Sequence, residues 1–348
     1  MQKFLSVFLL LLTFVLLRAG ECYKFFMISD THFGSSESFS EKITGSRRTR
    51  ADKAMVLYRK LFADMAAKSD SSTKFLIHAG DVIEGYAKDD LTQQKEFERS
   101  VALLKDYFSF PVYFVRGNHE TSGGANGYIN GLLPEISRSA GKELTVANYS
   151  FSQGRDLFIF IDCYSPGYLS FIDRSLREHK GDIRYLFVVL HSDLLLPFRD
   201  NAAKRIMQKL AGFNTLILHG HTHCTVKLSQ NINGKSITAF SVGTCLSSPR
   251  SYPSEAVTDF SKQLARINRQ AGFERYPVKK AYFDRESLPY ISGFQDFSNN
   301  GFAQGYAEIH VSDDGVYALI QGTDFKQKPL RVELIGTEKN TKNADGEK

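Results

Sequence analysis

The chain has 348 residues, of which 42% are hydrophobic and 24% charged, so it can bury the core of one large domain or two modest ones. Its body carries no strongly biased tract, which excludes fibrous and largely disordered proteins. The formal charge of +6 suits phosphate esters, acidic surfaces or nucleic acid without selecting among them, and no Lys/Arg cluster is dense enough to make specific nucleic-acid binding evident.

The first 22 residues are interpreted as a cleaved signal peptide. Lys3 precedes an apolar stretch from Phe4 to Leu17, and the small residues Ala19 and Gly20 follow it. The stretch is shorter than the ~20 apolar residues of a membrane-spanning helix, so we expect a secreted, periplasmic or extracellular protein without a transmembrane helix after cleavage. Lipid anchoring at Cys22 is a less favoured alternative, because Glu21 stands where lipoproteins carry a small residue.

The next part of the chain alternates strand and helix patterns. Strands are predicted over Tyr23–Ser29, Lys74–Ala79 and Pro111–Arg116, and amphipathic helices over Ala51–Lys68 and Asp89–Phe108. This order predicts parallel strands joined by crossover helices, which is an α/β architecture built from βαβ units.

Further elements follow towards the C-terminus, with no linker that would separate two domains. They are a hairpin of Asn148–Ser152 and Leu157–Ile161, helices near Leu169–His179 and Asp200–Ala211, strands Arg184–Leu190 and Asn214–His219, and a hairpin over Thr225–Val242. We therefore expect one domain over residues 23–335, with a core at 23–247, a weakly patterned segment at 248–300 that is helix-like near 254–269, and a terminal hairpin within 301–335. Residues 336–348 are predicted to form a disordered polar tail.

Polar residues follow directly after five of the predicted strands. Because ligands of α/β sheets bind at the carboxyl ends of the strands, we expect these side chains to lie on one rim. Glycines before three of them fit sharp turns that bring the backbone close to the site. The residues are Asp30, His32, Asp81, Asn118, His119, Glu120, His191, His221 and His223.

This donor set favours a metal centre. Imidazole nitrogens mixed with carboxylate and amide oxygens suit Mn, Fe or Zn better than Ca or Mg. Seven candidate ligands are too many for one tetrahedral ion, so they favour two divalent ions that share a carboxylate. The other four histidines, His78, His179, His219 and His310, are interpreted as structural.

The blocks Asp-x-His, Gly-Asp, Gly-Asn-His-Glu, His and Gly-His-x-His, in this order over residues 30–223, resemble the calcineurin-like metallophosphoesterases. The resemblance implies two β-sheets packed as a sandwich with helices outside, and hydrolysis of a phosphoester by a hydroxide held between two metals. It implies further that His119 faces the substrate and assists the leaving group. Glu120 is expected either to orient His119 or to be merely exposed. The implied ligands are Asp30, His32, Asp81 and His223 for one metal, and Asp81, Asn118, His191 and His221 for the other.

Sequence differences from individual branches of the family narrow the range of expected substrates. His32 stands where purple acid phosphatases carry Gly, Glu84 stands where they carry Tyr, and the Asp-Arg-Gly of protein Ser/Thr phosphatases is missing after Asp81. The pattern is closer to phosphodiesterases, nucleotidases and acid sphingomyelinases. We expect a small phosphodiester as substrate, with a phosphomonoesterase or nucleotidase and a non-catalytic scaffold as alternatives.

Two further sets of residues concern substrate specificity and disulfide formation. Candidates for shaping specificity are Asn126, Tyr128, Tyr164 and Arg250. Cys224 and Cys245 flank the hairpin over 225–242, and the pattern leaves open whether they form a disulfide or remain two buried thiols.

Overall fold

Two β-sheets carry the fold. The computed structural model describes residues 22–35, 38, 45–122, 124–192, 201–232, 234–243, 291–297, 302 and 304–336. Within these residues the strands are β1 (Tyr23–Ile28), β2 (Thr73–His78), β3 (Val112–Phe114), β4 (Tyr149–Gln153), β5 (Asp156–Ile161), β6 (Leu186–Leu190), β7 (Thr215–His219), β8 (Val226–Ile232), β9 (Lys235–Ser241), β10 (Ile291–Asp296), β11 (Gly305–Ser312), β12 (Gly315–Gly322) and β13 (Leu330–Gly336).

Six helices are described beside these strands, with a short 3-10 turn at His119–Thr121. They are α1 (Gly45–Lys68), α2 (Asp90–Tyr107), α3 (Ala125–Gly131), α4 (Leu133–Ala140), α5 (Tyr168–Glu178) and α6 (Asn201–Leu210). The predicted start of α2 is confirmed, since the carboxylate of Asp89 caps it by accepting a hydrogen bond from the Thr92 N–H at 2.7 Å.

The predicted parallel strands divide between two sheets. The six-stranded sheet has the order β13-β12-β11-β1-β2-β3 and the seven-stranded sheet the order β10-β8-β9-β7-β6-β5-β4. Strands β1, β2 and β3 are parallel in the first sheet, and β5, β6 and β7 are parallel in the second. The carboxyl ends of both parallel groups lead into the loops that carry the candidate ligands, so the site draws on both sheets.

Aromatic rings fill the space between the sheets. The Phe25 ring centroid lies 5.6 Å from that of Phe158 and 5.7 Å from that of Phe187, which joins the first sheet to the second. Phe158 and Phe187 stack in parallel 4.3 Å apart. These fully buried rings hold the two sheets together as a sandwich, which confirms the expected fold class.

The helices cover the outer faces. Helix α1 buries Tyr58 and Phe62 against the first sheet, and a second buried cluster joins Ile172 of α5 and Met207 of α6 to the outer face of the second sheet. Among the residues that the structure describes, no helix combines the length and apolar character needed to cross a bilayer.

A buried ion pair joins the sheets at the amino ends of their strands. Asp156 is fully buried and accepts hydrogen bonds from Arg184 at 2.9 and 2.6 Å and from the Tyr23 hydroxyl at 2.8 Å. Since Tyr23 begins β1 and Asp156 begins β5, this contact fastens the sandwich at the edge opposite the candidate ligands.

Three regions differ from expectation. The terminal hairpin has a third strand, β13, whose alternating Val332 and Leu334 are buried against the sheet. Part of the weakly patterned segment forms the edge strand β10, paired with β8. Helix α3 was not predicted because Gly127 and Gly131 weaken its helical pattern. Helix α4 was overlooked as well. The signal segment up to residue 21, the helix near 254–269 and the tail after Gly336 lie outside the described residues.

Candidate metal centre

Within each sheet, backbone hydrogen bonds join neighbouring loops that follow the strands. The Asp30 N–H donates to the Gly80 carbonyl at 2.9 Å, the His32 N–H to the Asp81 carbonyl at 3.0 Å, and the Gly220 N–H to the His191 carbonyl at 3.0 Å. These bonds tie the loop after β1 to the loop after β2, and the end of β6 to the loop after β7. The side chains that the loops carry are thereby held at fixed positions.

One group of donor atoms lies between Asp30, His32, Asp81 and His223, all within 4.8 Å of one another. His223 Nε2 lies 3.3 Å from Asp30 Oδ1 and 3.4 Å from His32 Nε2. His32 Nε2 lies 3.8 Å from Asp81 Oδ2. The four residues come from the ends of three different strands, and their donor atoms face a common point.

A second group, with Asp81 in common, contains His191 and His221. His191 Nε2 lies 3.1 Å from Asp81 Oδ2, and His221 Nδ1 lies 2.9 Å from Asn118 Oδ1. The structure thus brings all seven candidate ligands into two adjoining clusters with Asp81 between them.

The hydrogen bonding of His191 shows that the residues fit a cation. Its Nδ1 donates to the Ala79 carbonyl at 2.7 Å, so Nε2 is the nitrogen that faces Asp81. His191 is fully buried and Asp81 is 1% exposed, and two lone pairs 3.1 Å apart repel unless a proton or a cation lies between them. The donor set therefore fits two divalent ions that share the Asp81 carboxylate.

The protonation states of the clustered histidines are compatible with metal binding. Burial and the charge of His119 hold the pKa of His32 well below its ordinary value. Burial and the charge of His191 lower the pKa of His221 to about 3. Burial also lowers the pKa of His191, but the adjacent Asp81 carboxylate outweighs it and raises that pKa to about 10. His32 and His221 are therefore neutral and able to donate lone pairs, whereas His191 must release a proton when a metal binds.

The ligand loops adopt an uncommon backbone conformation. A positive φ costs energy for residues other than glycine, and such residues cluster at functional sites. Among the described residues outside the clusters, Tyr86 is the remaining non-glycine residue with positive φ, at +59°. The candidate ligands in this conformation are Asp30 at +52°, His32 at +47°, Asp81 at +52°, His221 at +68° and His223 at +55°.

Glycines allow the backbone to approach the clusters. Gly80 has a φ of +88°, and a Cβ there would lie 2.5 Å from His191 Nδ1. A Cβ on Gly117 would lie 2.2 Å from Asp81 Oδ1. The prediction that the glycines before Asp81 and Asn118 bring the backbone close to the site is therefore confirmed.

His119 lies beside the clusters in a fixed orientation. Its Nδ1 donates to the Glu84 carbonyl at 2.5 Å, and its backbone N–H donates to Asp81 Oδ1 at 2.9 Å. Its ring centroid is 4.5 Å from that of His32. Because Nδ1 is occupied by the carbonyl, Nε2 is the nitrogen that can exchange a proton with a substrate.

Glu120 has a different environment from either expectation. It is fully buried, so the exposed alternative is wrong. Its carboxylate accepts hydrogen bonds from the backbone N–H groups of Val82 at 2.6 Å, Asp81 at 3.0 Å and Gly117. Burial and the nearby Asp81 charge raise its pKa to about 7. The His119 ring is oriented by the hydrogen bond that its Nδ1 donates to the Glu84 carbonyl, and Glu120 instead fixes the backbone around Asp81.

Comparison with known proteins agrees with this geometry. The sequence profile described as calcineurin-like phosphoesterase matches residues 23–225, which is more than half of the chain. The chain belongs to the calcineurin-like phosphoesterase family. Membership supports phosphoester hydrolysis, and metallophosphoesterases of this family typically bind two metals.

Three solved structures are similar to this phosphoesterase. A dimetal phosphatase from Danio rerio has 13% identity and a TM-score of 0.49, covering 90% of this chain and 99% of its own. GAP50, the anchor in the inner membrane complex of Plasmodium, has 11% identity and a TM-score of 0.48, covering 91% and 90%. Vps29 of Chaetomium thermophilum has 9% identity and a TM-score of 0.30, covering 90% and 98%. No curated protein sequence matches the chain, and the family assignment rests on the sequence profile.

Glu84 of this phosphoesterase was not identified as a site residue from the sequence. Its carboxylate lies 3.3 Å from His32 Nδ1, on the side of the imidazole away from the first cluster. A carboxylate at the outer nitrogen of a metal-ligating histidine fixes the ring and raises its basicity. The available signal was that Glu84 follows Asp81 by only three residues in the same loop.

Arg116 was also missed, and it lies next to two of the proposed specificity residues. Its guanidinium lies 3.1 Å from Asp162 and over the rings of Tyr128 and Tyr164, at 5.7 and 5.4 Å. The Tyr164 ring lies 6.4 Å from that of His191, which places this group beside the second cluster. By contrast, Asn126 is exposed and donates a hydrogen bond to Asp90, and Arg250 lies outside the described residues.

The remaining histidines and cysteines lie outside the two clusters. His78 and His219 are buried at the ends of their strands, and burial lowers their pKa values to about 3 and about 4. The Cys224 thiol is buried and donates to the Thr222 carbonyl at 3.3 Å. Cys245 lies outside the described residues, so the question of a disulfide with Cys224 stays open.

Proposed function

We propose that this chain is a two-metal phosphoesterase that hydrolyses a small phosphodiester. The observation that carries the proposal is the pair of donor clusters that share Asp81. When bound, two divalent cations, with Mn, Fe or Zn favoured by the donor types, would neutralise phosphoryl charge and lower the pKa of water. Asp30, His32, Asp81 and His223 would hold one cation, and Asp81, Asn118, His191 and His221 the other.

The protein's own contribution to bond cleavage would come from His119. With Nδ1 donating to the Glu84 carbonyl, a proton on Nε2 can be transferred to the departing ester oxygen. General acid catalysis of this kind contributes roughly 10²–10⁴-fold to a rate. Glu120 would act indirectly, because its carboxylate holds the backbone N–H groups of Asp81 and Gly117.

The charge near the second cluster favours a diester over a monoester. Arg116 precedes the Gly117-Asn118 turn, but Asp162 at 3.1 Å matches its positive charge. A monoester carries a second negative charge that needs an additional cation, whereas a diester carries only one. The paired guanidinium is therefore better suited to the singly charged substrate.

We further propose that the protein works outside the cytoplasm. The support is the N-terminal pattern of Lys3 followed by an apolar stretch and small residues. Mass spectrometry of the protein exported by its host should show a mature N-terminus near residues 20–23. A chain that retains Met1 to Leu17 after export would contradict the proposal, and a mass increase at Cys22 would show lipid anchoring.

The proposed activity is tested with purified protein loaded with Mn²⁺. We expect hydrolysis of bis-p-nitrophenyl phosphate to exceed that of p-nitrophenyl phosphate. His119→Ala should lower kcat by about 10²–10⁴-fold while two Mn²⁺ ions per chain remain bound, because His119 is not among the seven proposed ligands. A faster reaction with the monoester would favour a phosphomonoesterase instead.

His179→Ala provides a matched control. His179 follows the carboxyl end of α5, where the chain returns towards the amino end of β6, so its replacement should leave kcat unchanged. A protein that binds two metals but hydrolyses neither ester with Mn²⁺, Fe²⁺ or Zn²⁺ would support the scaffold alternative. An equal loss in both histidine variants would contradict the role of His119.

A further inference from the structure

Tyr86 is an exposed aromatic residue held in a costly backbone conformation at the metal centre. Its φ is +59°, and 38% of its surface is exposed. A left-handed backbone is a marked outlier for a bulky residue, and glycine would adopt it without cost. The Tyr86 N–H donates to the Ser122 carbonyl at 2.6 Å, which ties this conformation to the turn that follows His119.

The Tyr86 ring lies against the proposed general acid. Its centroid is 5.7 Å from that of His119, and the two rings meet edge to face at 88°. Gly85 makes this approach possible, since a Cβ there would lie 2.5 Å from the His119 carbonyl oxygen. The loop after Asp81 therefore contacts His119 twice, through the Glu84 carbonyl and through the Tyr86 ring.

The position of His119 shows which part of a substrate would meet this ring. In an in-line displacement the leaving group departs on the side opposite the attacking oxygen, next to the acid that protonates it. A ring that borders His119 and reaches solvent is therefore placed to contact the leaving group. An exposed aromatic face binds another flat ring better than it binds a short aliphatic chain.

We propose that Tyr86 determines specificity by binding an aromatic ring carried on the leaving group of the phosphoester. The inference rests on the proposed function, since it takes His119 to mark the leaving-group side. The phosphate would be held at the metal clusters, and the ring of the leaving group would pack on Tyr86. The preferred substrates are then esters of aromatic alcohols or of alcohols that carry an aromatic base.

Binding of two non-hydrolysable analogues tests the inference without relying on turnover. Calorimetric titration of the Mn²⁺-loaded protein with benzylphosphonate and ethylphosphonate should show tighter binding of the benzyl compound. Tyr86→Phe should keep this preference, whereas Tyr86→Gly should reduce it about tenfold, the range expected for loss of one ring-stacking contact. Glycine accepts the left-handed backbone, so this variant removes the ring without adding strain.

Tyr317→Ala serves as the control for loss of a tyrosine ring. Tyr317 stacks on His310 at 4.6 Å in the part of the first sheet that pairs with the amino end of β1, away from the ligand loops. It should keep the wild-type preference for benzylphosphonate. Hydrolysis of the diesters methyl phenyl phosphate and diethyl phosphate by the same variants provides a second, kinetic measure of the preference for an aromatic leaving group.

Failure of the role of Tyr86 and failure of the proposed phosphoesterase function give different results in these experiments. An unchanged preference in Tyr86→Gly, or no preference in the wild type, would overturn the role of Tyr86 even if both esters are hydrolysed. A preference that depends on Tyr86 in a protein that hydrolyses no ester would overturn the proposed function and leave the ring-binding role of Tyr86 supported.

Discussion

Replacing Gly117 with alanine adds one methyl group at a crowded point next to Asp81. The new Cβ would lie 2.2 Å from Asp81 Oδ1, 2.4 Å from the Asp81 nitrogen and 2.7 Å from Glu120 Oε2. Ordinary contact begins near 3.4 Å, so the Asp81 carboxylate must move by about 1.2 Å or the backbone must shift. Asp81 is the residue common to both clusters, and this movement would disturb the ligands of both proposed metals.

The size of the effect follows from this crowding. Overpacking a buried site costs about 1–3 kcal/mol, and we expect the free energy of unfolding of Gly117→Ala to fall by that amount. Disturbing the groups that orient metal ligands typically lowers metal affinity by about 10–100-fold. We expect a loss of affinity in this range, with a corresponding loss of phosphoesterase activity at limiting metal concentration.

Urea denaturation in the presence of a chelator measures the free energy of unfolding. Competition with a chromogenic chelator for Mn²⁺ measures the metal affinity. Gly336→Ala is the matched control, because a Cβ at Gly336 would meet no atom within 4 Å. It should change neither quantity. If Gly117→Ala binds both ions with wild-type affinity, the reasoning that Gly117 positions Asp81 is refuted.

Three further outcomes test other parts of the structure. Asp156→Ala should lower the free energy of unfolding in urea by about 3 kcal/mol because the buried Arg184 loses a carboxylate partner, and an unchanged midpoint would contradict this pairing. Burial lowers the pKa of His78 to about 3, whereas the same histidine in the unfolded chain has a pKa of about 6.5. Below pH 6.5 the unfolded chain therefore binds a proton that the folded chain does not bind, and the free energy of unfolding falls by about 1.4 kcal/mol per pH unit. In chelator-treated protein, His78→Gln should reduce the loss of stability between pH 7 and pH 5, and an equal loss would show that His78 is not responsible. Tyr86→Gly should be about 1 kcal/mol more stable than Tyr86→Ala, since only alanine keeps a Cβ in the left-handed conformation; equal stabilities would mean that the loop relaxes.

Much of the site was predictable because local sequence carries its chemistry. Asp30, Asp81 and His191 each follow an apolar run, and the carboxyl ends of parallel strands lie side by side whatever the details of packing. Gly80 and Gly117 were predicted to allow close approach from their positions alone. Strand β13 was overlooked despite its alternating Val332 and Leu334, a signal that the sequence did contain.

Other features depend on contacts between residues far apart in the chain, which no local pattern records. The sequence does not show that Glu120 is buried beneath the Asp81 loop, or that the Glu84 carbonyl orients His119. The division of the parallel strands between two sheets likewise depends on which apolar faces pack together, as Phe25 does on Phe158.

The sequence by itself determined which donor atoms the protein carries and after which strands they stand, because residue type and strand pattern are local properties. Only the tertiary structure decided that the ligand loops take left-handed backbone conformations and that the Tyr86 ring lies against His119. The physical reason is that hydrogen bonds between separate loops hold these conformations, and those bonds form only once strands far apart in the chain lie side by side in a sheet.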